Sequence, residues 1–274
     1  MEFTWFESIL YGIVSGFVEF LPISSEAHQQ FMLKLFGVNS VDPVRNVFVH
    51  IAALAAIYIN LRSFFEHIRR QRNSHQNRKR KSSTRLQFDY KFLRGAAIPM
   101  LIVYFVIRVI VKPDNNLLMC SIFSLCNGLV LFVAERMVQG NKDSRLMTSG
   151  DSLLVGAAAG LSALPGLSRV GCAAVAASAR GAERKYCTNW ALMLSVPALL
   201  GTIVVDFVHV FSGESFPFWS NILSYILSAF CTYLGCYFGI RLLKYVSVKT
   251  GFSTFAYYSL GLAILLFILF LIVV

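Results

Sequence analysis

Charge is what this sequence has least of. Only 14% of its 274 residues are Asp, Glu, Lys or Arg, and 56% are hydrophobic; a soluble domain carries about 25% charged residues. Mean hydropathy is +0.62. This excludes an ordinary soluble enzyme, because several apolar runs approach or exceed the roughly 20 residues that cross a bilayer. The expectation is an all-α polytopic membrane protein. Met1-Glu2-Phe3-Thr4-Trp5 has no basic residue to open a signal peptide, and Glu2 and Glu7 carry the wrong sign, so no cleavable leader is expected. The six cysteines form no CxxC pair and no cluster with His. They read as small apolar fillers.

The charge that is present is lopsided. Twenty-five Lys and Arg face 14 Asp and Glu, a net +11. Between Arg62 and Arg94, eleven basic residues face only Glu66 and Asp89, a net +9. The run Arg78-Lys79-Arg80-Lys81 would suit nucleic acid. Among membrane segments it reads instead as a cytoplasmic loop, since basic loops stay inside and attract anionic headgroups. No nucleic-acid partner is expected.

Along the chain, Phe3–Phe20 is a helix stopped at Pro22, and a second short helix runs from about Glu26 to Phe36. Full crossings follow at Val44–Leu61, Leu93–Val111 and Leu117–Ala134. A polar loop, Met137–Asp151, leads to another short pair, Ser152–Leu164 and Ser168–Gly181, broken at Pro165-Gly166. Three more crossings lie at Asn189–Val210, Trp219–Leu243 and Phe252–Val273. With the Arg62–Arg94 loop placed inside, Met137–Asp151 and the basic Arg241–Lys249 loop also fall inside. The Lys112–Asn116 turn and the Phe211–Phe218 loop, which has no Lys or Arg, fall outside. Both termini are then external, in a multi-pass protein of the cell membrane.

The halves resemble each other. Residues 1–136 and 137–274 each give a broken short pair (3–36 and 152–181) followed by three crossings, the first half carrying the basic loop 62–94. Gly12-x3-Gly16 precedes Leu21-Pro22, and Gly156-x3-Gly160 precedes Leu164-Pro165. Three crossings per half reverse orientation, so the halves are expected to be inverted repeats with re-entrant tips meeting near the midplane. Interrupted segments at matching positions of such halves point to a binding site.

Between Gly16 and His28 the first tip carries Glu19, Ser24, Ser25, Glu26 and His28, though each ionised group costs about 2.5–3.5 kcal/mol at a membrane helix centre. The second tip carries Gly166, Ser168 and Arg169. A guanidinium beside a helix N-terminus suits a phosphate. The carboxylates would repel that anion unless a divalent cation, Mg²⁺ or Ca²⁺, lies between them, with Glu19 and Glu26 as its ligands. Ser25 and His28 offer a nucleophile and an acid/base. Simpler roles are open too. Glu19 and Arg169 would neutralise each other, Ser24 or Ser25 would cap a helix, and Glu26 would complement a helix dipole. His50, inside a crossing, either lines the same cavity and binds substrate or makes a helix–helix hydrogen bond.

Gly16-x2-Glu19-Phe20-Leu21-Pro22-Ile23-Ser24-Ser25-x2-His28 and Pro165-Gly166-x-Ser168-Arg169-x-Gly171 resemble the two signature motifs of the undecaprenyl-diphosphate phosphatase family, the bacitracin-resistance type. His50-Ile51-Ala52, Ser195-Val196-Pro197-Ala198-Leu199-Leu200-Gly201 and Phe255-Ala256-Tyr257-Tyr258 extend the likeness over nearly the whole chain. The resemblance implies an integral membrane hydrolase that releases phosphate from a polyprenyl diphosphate, recycling the lipid carrier of cell-wall synthesis. It implies Glu19 in a metal or base role, Ser25 as nucleophile, His28 as acid/base, and Ser168 and Arg169 as diphosphate ligands. The sequence departs from the family at Ser15 and Ser259, where a carboxylate or amide and an arginine are expected. It departs also at Glu26, Ala27, Val170 and Ala173. The competing reading is a non-catalytic polyprenyl-phosphate carrier or flippase on the same fold. Sequence leaves a homo-oligomer open.

Overall fold

In the computed structural model the chain is described at residues 3–66, 69, 85–111, 116–138, 140–211 and 218–273. Most of the basic 62–94 loop, all but Asn116 of the Lys112–Asn116 turn, and positions 212–217 of the Phe211–Phe218 loop lie outside the described residues. Within them the protein is helical, and its one extended pairing is an isolated bridge between Lys142 and Ala182. The helices are α1 (Trp5–Glu19), α2 (Ser25–Leu35), α3 (Pro43–Asn60), α4 (Arg85–Val111) and α5 (Leu117–Arg136). They continue as α6 (Ser149–Gly160), α7 (Arg169–Ala179), α8 (Arg184–Phe211), α9 (Phe218–Lys249) and α10 (Ser253–Val273), with a 3₁₀ turn at Leu161–Ala163.

Six of these are long and apolar enough to cross a membrane: α3, α4, α5, α8, α9 and α10. They are the six crossings expected from sequence. Their lipid side is plain in exposed Ile98, Ile102, Val109 and Ile110 on α4, and in Leu265, Ile268 and Ile272 on α10. At 32 residues, α9 is about 48 Å long, well beyond the roughly 30 Å hydrocarbon core. The expected Arg241–Lys249 loop is therefore corrected. Those residues form the last turns of α9, since nothing in Arg241-Leu242-Leu243-Lys244-Tyr245 breaks a helix before the positive-φ Gly251.

The short helices cannot span. At 15 residues, α1 is about 22 Å long. Thr4 starts it with a capping box: its hydroxyl accepts from the Glu7 N–H, and the Glu7 carboxylate accepts from the Thr4 N–H at 2.7 Å. Thr148 and Asp151 repeat this device on α6. The glycine pairs then seat each short helix. A Cβ on Gly12 or Gly16 would lie 2.5 Å from the Ser228 carbonyl or 2.3 Å from that of Thr232, so α1 lies backbone to backbone on α9. A Cβ on Gly156 or Gly160 would lie 2.0 Å from the Ala96 carbonyl or 2.7 Å from that of Met100, on α4. Small residues permit this approach, which drives helix association in lipid. Helices α1 and α6 thus each pack on the second crossing of the other half, while α5 packs along α10 and α3 along α8. The main core draws residues from both halves, Val18, Ala56 and Met100 with Trp190, Leu199 and Ile240.

At the basic-loop end the connections are tied down by ion pairs. Arg180 Nε donates to Asp151 at 2.5 Å and Arg184 Nη2 to Glu135 at 2.7 Å, while Glu135 also accepts from the Phe252 N–H. In the polar loop Arg145 and Asp143 pair at 2.7 Å.

Candidate active site

Both tips are built alike. Beyond Glu19 the chain turns at Phe20–Ile23, where Pro22 cannot continue the helix, and Ser24 restarts it by accepting from the Ala27 N–H at 3.1 Å. In the second tip the chain turns at Pro165-Gly166, and Ser168 starts α7 by accepting from the Gly171 N–H at 3.1 Å. Two helix N-termini, sources of free N–H groups and positive dipole, therefore belong to the tips.

The tips touch. The Ser168 hydroxyl donates to the Leu21 carbonyl at 3.0 Å. Buried Asn127 of α5 clasps them: its amide N–H donates to the Pro22 carbonyl at 3.0 Å and its carbonyl accepts from the Ser168 N–H at 3.0 Å. It also donates to Ser259 of α10 at 3.1 Å, the position where the motif resemblance leads one to expect an arginine. Gly171 packs closely at this junction, where a Cβ would lie 3.4 Å from the Pro22 carbonyl and 3.3 Å from the Asn127 carbonyl.

At the junction Arg169 Nη1 faces Glu19 Oε1 at 3.6 Å, with both side chains largely buried. That distance is an ion pair without a hydrogen bond. Arg169 Nε is buried with no hydrogen-bond partner. The neutralising contact expected from sequence is present, and it leaves guanidinium donors over. A buried donor without an acceptor costs about 1–3 kcal/mol, more when charged. An anion arriving here relieves that cost.

His28 is fixed at both ring nitrogens. Nδ1 lies 2.6 Å from the Ser24 carbonyl and Nε2 lies 2.8 Å from the Tyr258 hydroxyl, with the two rings stacked. A carbonyl only accepts, so Nδ1 carries a proton, and in the neutral ring Nε2 then accepts from the Tyr258 hydroxyl. The ring does not bond Ser25. The Ser25 hydroxyl, half-buried at the start of α2, makes no hydrogen bond among the described residues.

Glu26, His50 and Gly166 have other contacts. Glu26 accepts from Arg108 Nη2 of α4 at 3.3 and 3.5 Å, so its carboxylate faces a guanidinium where a metal partnership with Glu19 was expected. His50 takes the helix–helix alternative, with Nδ1 at 3.0 Å from Asp206 of α8. Gly166 is needed for its backbone: φ is +110°, and a Cβ would meet the Cys120 carbonyl at 2.6 Å. Among the described residues no group of three or more His, Cys, Asp or Glu side chains could hold a metal by themselves.

Sequence reasoning missed Asn127, Arg108 and Asp206, and met Tyr258 only within a motif. A signal existed. Each of the first three is a polar side chain inside an apolar crossing, which marks function or a buried partner.

A family model described as "Bacitracin resistance protein BacA" matches residues 8–265. The chain is 29% identical to "Undecaprenyl-diphosphatase 3" of Bacillus cereus over 97% of both chains. It is 27% identical to "Undecaprenyl-diphosphatase" of Carboxydothermus hydrogenoformans, over 95% of this chain and 96% of that one. The protein of that same name from Halothermothrix orenii is 28% identical, over 96% and 97%. None of these names supports the carrier alternative.

Proposed function

The chain belongs to the bacitracin resistance protein BacA family, and from that premise and the tip geometry we propose how it works. It is a membrane hydrolase that converts undecaprenyl diphosphate to the monophosphate and inorganic phosphate. The observation that carries the assignment of residues is Arg169, which keeps a buried, unpartnered Nε beside Glu19 where the N-terminus of α7 meets the turn that leads into α2.

The lipid tail lies among the crossings and the diphosphate at the tips. Arg169, with the free first-turn N–H groups of α7, holds phosphate oxygens, and Ser168 joins it once its hydroxyl turns from the Leu21 carbonyl. Ser25 Oγ, unengaged at the start of α2, attacks the terminal phosphorus. A P–O bond to phosphorus forms, the bridging P–O bond breaks, and the lipid monophosphate leaves. Arg169 stabilises the charge on the equatorial oxygens, which dominates phosphoryl transfer. The serine proton goes to His28 Nε2 once its Tyr258 bond opens. Water then cleaves the phosphoserine, restoring the hydroxyl and releasing phosphate. Glu19 orients Arg169 and, paired at 3.6 Å where Glu26 is paired at 3.3 Å, is the less engaged tip carboxylate and the one that would hold a divalent cation. One carboxylate, phosphate oxygens and water satisfy Mg²⁺, and Ca²⁺ takes the same oxygen donors. Such an ion supplies positive charge to the diphosphate.

The basic loops are assigned to the cytoplasm and both termini to the outside, supported by the distribution of Lys and Arg. Residues 1–136 and 137–274 are assigned as inverted repeats, supported by the reciprocal seating of α1 on α9 and α6 on α4. All the named groups belong to one chain, so a homo-oligomer, if formed, is not needed for chemistry.

The test is phosphate release from undecaprenyl diphosphate by purified protein, with Mg²⁺ or Ca²⁺ and after chelation. Wild type should release phosphate, Ser25→Ala should not, and chelation should suppress release. Undiminished release by Ser25→Ala would remove the nucleophile assignment, and undiminished release after chelation would remove the cation.

A further inference from the structure

One charged pair at the tips has no part in that chemistry. Arg108 lies three residues from the end of α4 and donates to both oxygens of Glu26, at 3.3 and 3.5 Å. Their side chains are 35% and 24% exposed, so the pair is not sealed in packed core. Partly exposed pairs contribute little to stability, so folding alone gives little reason for these two charges. Arg108 also has its own support on α4, its Cζ lying 5.5 Å from the centroid of the Tyr104 ring one turn back.

The pair is also loose. Charge-assisted N–H···O bonds run at about 2.7–2.9 Å. The protein makes such bonds where ion pairs tie down its connections, at 2.7 Å for Arg184–Glu135, 2.5 Å for Arg180–Asp151 and 2.7 Å for Arg145–Asp143. At the tips the distances are 3.6 Å for Arg169–Glu19 and 3.3 Å for Arg108–Glu26. Two guanidinium groups, Arg169 on the second tip and Arg108 on α4, are thus each held by a first-tip carboxylate at less than full bonding. Glu26 is the second residue of α2, next to Ser25, where the first-turn N–H groups favour an anion.

We propose that Arg108 is a second phosphate-binding residue. Glu26 keeps it at the site while empty and yields it to one phosphate of the incoming diphosphate, as Arg169 takes the other. Each guanidinium can fork onto one phosphate. A lipid monophosphate needs only one of them, so Arg108 makes the site prefer substrate to product. This rests on the diphosphatase reading.

The experiment measures KM for undecaprenyl diphosphate, inhibition by undecaprenyl monophosphate, and thermal unfolding, for wild type, Arg108→Ala, Arg108→Lys and Glu26→Gln. Arg108→Ala should raise KM by about tenfold to a hundredfold, the effect of losing a charged hydrogen bond. Its product inhibition should stay as in wild type. Arg108→Lys should recover part of the loss, having charge without the fork. Glu26→Gln should lower KM, since the competitor for Arg108 is gone. If both positions serve only packing, Arg108→Ala and Glu26→Gln will lower the unfolding temperature alike and leave the substrate-to-product preference unchanged. That result overturns the proposal while wild-type phosphate release leaves the function standing. Absence of release by wild type would overturn the function instead. Binding of inorganic diphosphate, tighter than inorganic phosphate and weakened in Arg108→Ala, would then still support the clamp, and equal binding by both proteins would end it.

Discussion

Asn127 bonds to both tips and to α10 through one side chain, using its donor and acceptor ends together. Replacing it by Ala strands the Pro22 carbonyl and the Ser168 N–H in a buried junction. Each stranded group costs about 1–3 kcal/mol, so Asn127→Ala should lower the unfolding temperature in detergent and reduce kcat with it. Retention of both would mean that the tips are held by something else. Legibility at this scale divided by position. Glu19, Ser168 and Arg169 stand beside helix-breaking prolines, where polar groups in an apolar run have few structural uses, and they lie at one junction, while Ser24 caps its own helix. Asn127, Arg108, Asp206 and Tyr258 lie far away in sequence, and no local pattern names the partner of a lone polar residue. His28 shows the same limit, because its spacing from Ser25 suggests a pair, yet Ser24 and Tyr258 hold its ring.

Helices α1 and α6 share a start and a seat: a capping box, then two glycines four apart. The glycine repeat was visible in sequence, but the surface that each pair meets was not, because it belongs to the opposite half. Gly156→Val should be among the most damaging single changes, since even its Cβ would lie 2.0 Å from a backbone carbonyl. Overpacking of this kind costs about 1–3 kcal/mol or more, read as lowered unfolding temperature and loss of folded protein on sizing. A normal profile would contradict the close α6–α4 approach. At the start of α6, burial pushes the Asp151 carboxyl up. Hydrogen bonds from Thr148 and Arg180 and the Arg180 charge outweigh that and hold it below the usual carboxylate range. A lowered folded pKa stabilises at pH values above the ordinary carboxylate pKa. That stability is lost as pH falls below about 4 and through the lowered value. Asp151→Asn should therefore be less stable than wild type at pH 7, with the difference closing on acidification. A difference that does not change with pH would show that Asp151 acts through packing alone.

The whole molecule is two halves interlocked, each supplying the crossing on which the other half's short helix rests. The six crossings followed from hydropathy alone, because length and apolarity decide a span. The 32-residue α9 did not, because hydropathy cannot distinguish a basic loop from a basic helix end. Topology is tested by reporter fusions at the basic 62–94 region and at the C-terminus, which should report the cytoplasm and the outside respectively. The same side for both would break the inverted arrangement. One site is made from two tips, with Glu19 on one and Arg169 on the other. A double-mutant cycle on kcat tests it most directly, using Glu19→Gln, Arg169→Gln and the pair together. Each single change should cost about 10²–10³ in kcat, as for lost charge stabilisation. The double variant should be little worse than the worse single one, because the two groups act as a unit. Losses that simply multiply would contradict the account, placing the two residues in separate sites.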